Sequence, residues 1–154
     1  VFDFVSYRDP KRVLNGGSAE EINWRFSSYE AAALTYDPSS GRYLKSEFGA
    51  PQIDELTGEQ VGYDNAFILF ADITLRPDNI LVNVDYSTSG YGYYFCGGRY
   101  EEVRWVKKAP ESPLRIVDAL GNETDIKVNP GTSYLAIVAL DQYDNLSITG
   151  AAAE

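Results

Sequence analysis

Three carboxylates gather in one short stretch, Gln52-Ile53-Asp54-Glu55-Leu56-Thr57-Gly58-Glu59. A glycosidase needs two carboxyl groups about 5–9 Å apart, one of them with its pKa raised by burial. The stretch supplies the carboxylates, but an exposed polar loop with a Thr-Gly turn offers no burial. Asp54 ahead of Thr57-Gly58 reads more simply as an Asx-type turn, its carboxylate accepting backbone N–H groups. Hard oxygen ligands for calcium occur at Asp141, Asp144 and Asn145, and at Asp72 with Asp85, without the ordered ligand string of an EF-hand loop. Gly90, Gly92, Gly97 and Gly98 precede no Gly-Lys-Ser/Thr and no helix, so they make no phosphate loop. Cys96 has no base or helix N-terminus nearby in the sequence and is expected to be a buried, inert thiol.

Composition removes most other catalytic designs. The chain has no histidine and one cysteine, which excludes a Ser-His-Asp or Cys-His nucleophile, a His-ligated zinc and an internal disulfide. Carboxylate chemistry, an oxygen-ligated cation, or binding without chemistry remain. The net charge of -10 repels phosphate backbones. The most basic stretch, Arg99 to Arg115, reaches only a local excess of two positive charges and reads as ion pairs on a wet sheet face. No nucleic-acid partner, no cofactor, no metal and no catalytic residue is therefore assigned. Aromatic residues are abundant, with 12 Tyr, 7 Phe and 2 Trp. Tyr91, Tyr93 and Phe95 share one strand face and Tyr94 and Cys96 the other, so one set can present rings to a sugar or peptide. Filling the space above a pleated sheet is the simpler use of such rings.

The elements that position these residues are strands. Ile22, Trp24 and Phe26 alternate with polar neighbours, and so do Ile80, Val82, Val84 and Tyr86 with theirs, as in strands with one buried face. Phe67–Phe70 and Tyr134–Val138 are apolar at successive positions, which predicts central strands covered on both faces. Ala32–Tyr36 and Arg42–Phe48 flank an Asp-Pro-Ser-Ser-Gly turn and predict a hairpin; Tyr93–Cys96 and Tyr100–Lys107 flank Gly97-Gly98 and predict a second, with Val103 and Trp105 inward. Asp118–Asn122 separates Leu114–Val117 from Thr124–Val128, and Gly49–Asn65 reads as a long loop. Helix signals are confined to one turn at Ser18–Glu21 and a short helix at Tyr29–Leu34. The fold class expected is mainly β, a curled antiparallel sheet forming a barrel or sandwich with at most one or two short helices. Residues 1–149 are expected to form one domain and 150–154 a tail. Trp24, Phe67, Leu69, Val82, Val84, Trp105 and Ile137 are expected in a single core. The start Val1-Phe2-Asp3-Phe4 carries no signal peptide, no segment is long and apolar enough to span a bilayer, and the lack of any methionine points to a piece of a longer chain.

An ordered series of motifs runs through the chain: Ser27-Ser28-Tyr29, Tyr36-Asp37, Gly41-Arg42-Tyr43-Leu44-Lys45, Gly49-Ala50-Pro51-Gln52-Ile53-Asp54, Thr57-Gly58 and Asn65. It continues with Gly90-Tyr91-Gly92-Tyr93-Tyr94-Phe95, Gly98-Arg99, Trp105-Val106-Lys107, Asp118 with Gly121, and Asn129-Pro130-Gly131-Thr132-Ser133-Tyr134. From Ser27 to Ala139 the series resembles the C-terminal domain of the YerB-like lipoprotein family (DUF3048), bacterial proteins with no assigned function. Lys45 and Gln52 stand where family members often carry arginine and histidine, and the missing histidine removes an acid-base group from that loop. The resemblance implies an N-terminal domain in the same parent chain and a parent that is lipid-anchored or secreted.

Residues and resemblance together predict a non-catalytic, extracytoplasmic binding or scaffolding module of the cell envelope. The alternative is a carboxylate-dependent, glycan-acting envelope hydrolase using Asp54 and Glu59. Expected partners are an envelope glycan, peptide or protein, and the N-terminal domain of the parent. The ligand-binding surface is placed on the loop Gly49–Asn65 and the adjoining hairpin end, at Lys45, Gln52, Asp54, Glu59 and Tyr63.

Overall fold

The computed structural model describes residues 3–6, 8, 12–14, 16–26, 31–47, 49–75, 82–85, 89–107, 114–119 and 124–150, with the backbone alone at 3, 72–75, 82–85 and 141. In chain order the strands are β1 (Asp3–Phe4), β2 (Gly17–Ser18), β3 (Glu21–Arg25), β4 (Ala31–Asp37), β5 (Arg42–Glu47), β6 (Ala50–Pro51), β7 (Gly62–Tyr63) and β8 (Asn65–Leu75). They continue as β9 (Val82–Asp85), β10 (Ser89–Cys96), β11 (Arg99–Val106), β12 (Arg115–Asp118), β13 (Lys127–Val128), β14 (Ser133–Ala139) and β15 (Ser147–Thr149). Among the described residues the one helical element is a 3-10 turn, Leu140–Asn145.

Two mostly antiparallel sheets pack face to face as an open sandwich rather than a closed barrel. The first runs β12-β11-β10-β8-β14, with β2 added to β11 and β9 to β8; the second runs β15-β3-β4-β5, with β6 and β7 both added to β5. Strand β8 explains the layering. Its Ala66, Ile68 and Phe70 point to one side, where Ile22, Trp24, Leu34 and Tyr43 of the second sheet meet them. Its Phe67, Leu69 and Ala71 point to the other, where Leu14, Tyr94, Val103, Trp105, Ile126 and Val128 close over them. A strand buried on both faces cannot alternate apolar with polar residues, hence the unbroken run.

That layering also corrects the expectation of a single core. Trp24 belongs to the cluster between the sheets, whereas Phe67, Leu69 and Trp105 belong to the cluster on the outer face of the first sheet. Ile137 is only partly buried. Strand β14 is not central: it lies in parallel beside β8 and ends the described path of the sheet, with Leu135 37% exposed. Ala136 and Val138 face the cluster between the sheets, while on the other face Ile137 is only partly covered and Leu135 is exposed.

Both expected hairpins form. β4 and β5 pair from Ala32↔Glu47 to Asp37↔Arg42, and the Asp37 carboxylate holds the turn by accepting Ser39 N–H and the Ser39 and Ser40 hydroxyls. Those donors hold Asp37 below the usual carboxylate range. Between β10 and β11, Gly97 and Gly98 both take positive φ, 64° and 77°, as a two-residue turn matching strand twist requires. Ala31–Leu34 is strand, not helix: Ala32 lies opposite Trp24, and a small residue there makes room for the indole. Ser18–Glu21 likewise joins β2 to β3 without a helical turn.

Ser27-Ser28-Tyr29, Ile80, Tyr86, Lys108, Gly121 and residues 151–154 lie outside the described residues, as do the side chains of Val82 and Val84 from the expected core.

Candidate ligand-binding hairpin

The segment expected as a long loop is an ordered hairpin folded onto the edge of β5. At its base the Gln52 N–H donates to the Lys45 carbonyl (3.0 Å), Lys45 N–H to the Val61 carbonyl (2.8 Å) and Val61 N–H to the Gln52 carbonyl (2.8 Å). The Gln60 side-chain amide adds a bond to the Lys45 carbonyl at 2.8 Å. Nearer the tip, Ile53 and Gln60 form a bridge, Asp54 N–H donates to the Glu59 carbonyl and Gly58 N–H to the Asp54 carbonyl, each at 2.8 Å. The Asp54 carboxylate accepts Leu56 N–H at 2.9 Å, and the Thr57 hydroxyl accepts Glu59 N–H at 3.2 Å. The Asx turn read from Asp54 is therefore present.

Lys45 occupies a core-facing position of β5, two residues beyond buried Tyr43, and is 5% exposed. A buried ammonium needs partners. Its Nζ donates to Gln52 Oε1 at 2.9 Å and to the carboxylate of Glu47, and it sits 5.1 Å from the ring centre of Tyr134. Tyr134 in turn packs against Tyr63 at 5.1 Å and Trp24 at 6.0 Å.

The five predicted residues thus fall into two groups. Lys45, Gln52 and Tyr63 come together at the base, where they lock the hairpin to the sandwich. Asp54 and Glu59 stand at the exposed tip, where neither has the burial that a general acid requires. Glu47 and Tyr134 complete the base and were not singled out in the sequence. Glu47 was findable, since on a strand it shares a face with Lys45; Tyr134 required the sheet packing.

Residues 21–135 match the sequence profile of the protein of unknown function (DUF3048) C-terminal domain. The chain belongs to this family. The DUF3048 C-terminal domain described here is also similar to the crystal structure of the YerB protein from Bacillus subtilis, with a TM-score of 0.72 at 20% identity over 88% of this chain. At that identity the likeness is one of fold. The chain spans 46% of the length of that protein. No curated protein sequence matches it.

Several residues of the motif series, Arg42, Asn65, Asn129 and Thr132 among them, act as clasps between strands. Asp64 Oδ2 accepts Thr132 N–H (2.9 Å) and the Thr132 hydroxyl (3.1 Å), while Arg42 reaches the Thr132 hydroxyl from β5 at 3.2 Å. Buried Asn65 accepts the Tyr94 hydroxyl at 2.6 Å and donates to the Asn129 carbonyl at 2.7 Å. Asn129 exchanges two bonds with the Arg12 backbone and donates to Cys96 Sγ at 3.4 Å, so the thiol is buried within a polar network. Arg12 pairs with Glu101 through both guanidinium nitrogens, at 2.7 and 2.8 Å, and this pairing raises its pKa.

The basic stretch is dispersed. Arg99 bonds the Leu14 carbonyl, Arg104 the Ser89 hydroxyl and Arg115 the Asp125 carboxylate. Of the calcium candidates, Asp72 and Asp85 are register partners on β8 and β9 and, like Asp141, have side chains outside the described residues, while Asn145 bonds Gln142. Among the described residues no three Asp, Glu, Cys or His side chains converge to hold a metal.

Proposed function

We propose that this domain is a non-catalytic binding or scaffolding module of a bacterial cell-envelope lipoprotein, acting outside the cytoplasm, and that it meets its partner through the hairpin Gly49–Asn65. One observation carries the reading. Leu56 is 95% exposed at the tip of a turn whose backbone is hydrogen-bonded and whose base is locked by Lys45 and Gln52. A leucine held out in water by an ordered element gains nothing for folding, but it is preorganised for contact. Ile53 is half exposed beside it, Asp54, Glu55 and Glu59 surround the two, and no Lys or Arg occurs between Lys45 and Arg76.

The complementary surface is a peptide or protein crevice, apolar at its centre and flanked by cations. In this division of labour Asp54 and Glu59 contact the partner, while Lys45, Gln52 and Tyr63 hold them in place. The envelope setting is what the resemblance to the YerB-like lipoproteins implies, and a chain spanning 46% of YerB fits one part of a larger parent. The setting is tested by fractionating cells that produce the full-length parent and exposing intact cells to protease. Recovery with the envelope and digestion from outside are expected; a protease-protected cytoplasmic protein would contradict it.

A further inference from the structure

A concave site separate from the hairpin lies further along β8, where the 3-10 turn packs against that strand. It is a groove of about 140 Å³ lined by Phe70, Tyr91, Tyr93, Tyr143, Glu102 and Val103. Phe70 is buried and forms the floor, while Tyr91 and Tyr143 are 66% and 48% exposed. Tyr143 packs edge-on against Phe70, with ring centres 5.0 Å apart, and its hydroxyl lies 3.3 Å from that of Tyr93, so the walls are fixed to one another. Burial, then the neighbouring Tyr143 hydroxyl, pushes the Tyr93 pKa up, so its ring is a neutral phenol at physiological pH.

Two features select the occupant. Ring faces carry partial negative charge, and Glu102, the register partner of Tyr93, adds a full negative charge to the lining. The domain's own cation already follows this preference: the Arg104 guanidinium lies 5.9 Å from the Tyr91 ring centre, held there by its bond to the Ser89 hydroxyl. Size is the second feature, because the volume is well below the roughly 300 Å³ at which drug-sized ligands begin to be enclosed.

We propose that this groove binds a quaternary or methylated ammonium head group, with the rings of Tyr91, Tyr93 and Tyr143 supplying cation–π attraction above the Phe70 floor and Glu102 the countercharge. The site is independent of the hairpin. It is tested by titrating the 154-residue chain with choline and with the uncharged carbon isostere of choline, in which a tert-butyl group replaces trimethylammonium, following tyrosine ring signals by NMR. Saturable choline binding is expected, with the isostere weaker by about tenfold. Tyr143→Leu should weaken choline by roughly fivefold to thirtyfold and Tyr143→Phe, which keeps the ring, by less than about threefold. Glu102→Gln, at an exposed position, should weaken choline and leave the isostere unchanged. Equal affinity for choline and the isostere, an unchanged affinity in Tyr143→Leu, or no saturation by choline at tens of millimolar would each overturn the proposal. So would tighter binding of N-acetylglucosamine than of choline, which would make the groove a sugar site.

Discussion

Lys45 Nζ and Gln52 Oε1 lie 2.9 Å apart, joining a core-facing position of β5 to the first leg of the hairpin that folds over it. Gln52 is half-buried rather than free in solvent, so its side chain bears on stability. Gln52→Ala leaves one donor of a buried ammonium unpaired and should cost about 1–3 kcal/mol, measured as the change in denaturant unfolding free energy. Gln52→Glu keeps an acceptor and should cost less.

Asp54 acts at the tip through one bond, from Leu56 N–H to its carboxylate. Losing such a local cap costs about 1 kcal/mol, so Asp54→Ala should lose roughly that amount and Asp54→Asn less. Glu59→Ala, at an exposed position, should change the unfolding free energy by no more than about 0.5 kcal/mol. The pair separates turn formation from partner contact.

Alkaline pH should weaken the fold. Burial raises the pKa of Tyr43 and Tyr94 above the ordinary 10.0, and both hydroxyls are hydrogen-bonded inside, Tyr43 to the Ala19 carbonyl and Tyr94 to Asn65. The unfolded chain releases these protons near pH 10 while the folded chain retains them. Their contribution is therefore full below about pH 10 and is lost as the pH rises beyond it. Melting temperature should begin to fall near pH 10 and keep falling at higher pH, and more shallowly in Tyr94→Phe, whose lost hydrogen bonds lower the starting value.

Gly90 should be intolerant of any side chain. A Cβ there would meet the Trp105 indole nitrogen and come within 2.6 Å of the Phe70 carbonyl, the two groups already joined by a 2.8 Å hydrogen bond. Gly90→Ala should cost about 1–3 kcal/mol or more through overpacking, read by chemical denaturation. Trp105→Ala should cost about 3–5 kcal/mol, as for other large buried aromatics.

What the sequence disclosed, and what it withheld, follows from the range of the interactions. The hairpins were legible because Asp37 to Gly41 and Gly97-Gly98 are turn chemistry written in neighbouring residues. The covered faces of β8 were legible because both rows of its side chains are apolar. The division into two cores was hidden, since Trp24 and Trp105 look alike in sequence and are separated only by which side of β8 they pack against. The edge position of β14 was hidden for the same reason: its partner Ala66 lies far back in the chain. At the site, the Asx turn of Asp54 was local and legible. The burial of Lys45 was not, because it depends on Tyr134 arriving from β14.

The most direct test of the hairpin as contact surface is photo-crosslinking from position 56 in cells producing the full-length parent. A photoreactive phenylalanine derivative replaces Leu56 in one strain and the exposed Thr149, on β15, in another. The account predicts a discrete crosslinked product to an envelope component from position 56, lost when Asp54 and Glu59 are both changed to lysine, and none from position 149. The same products from both positions, or a position-56 product indifferent to the charge reversal, would contradict it.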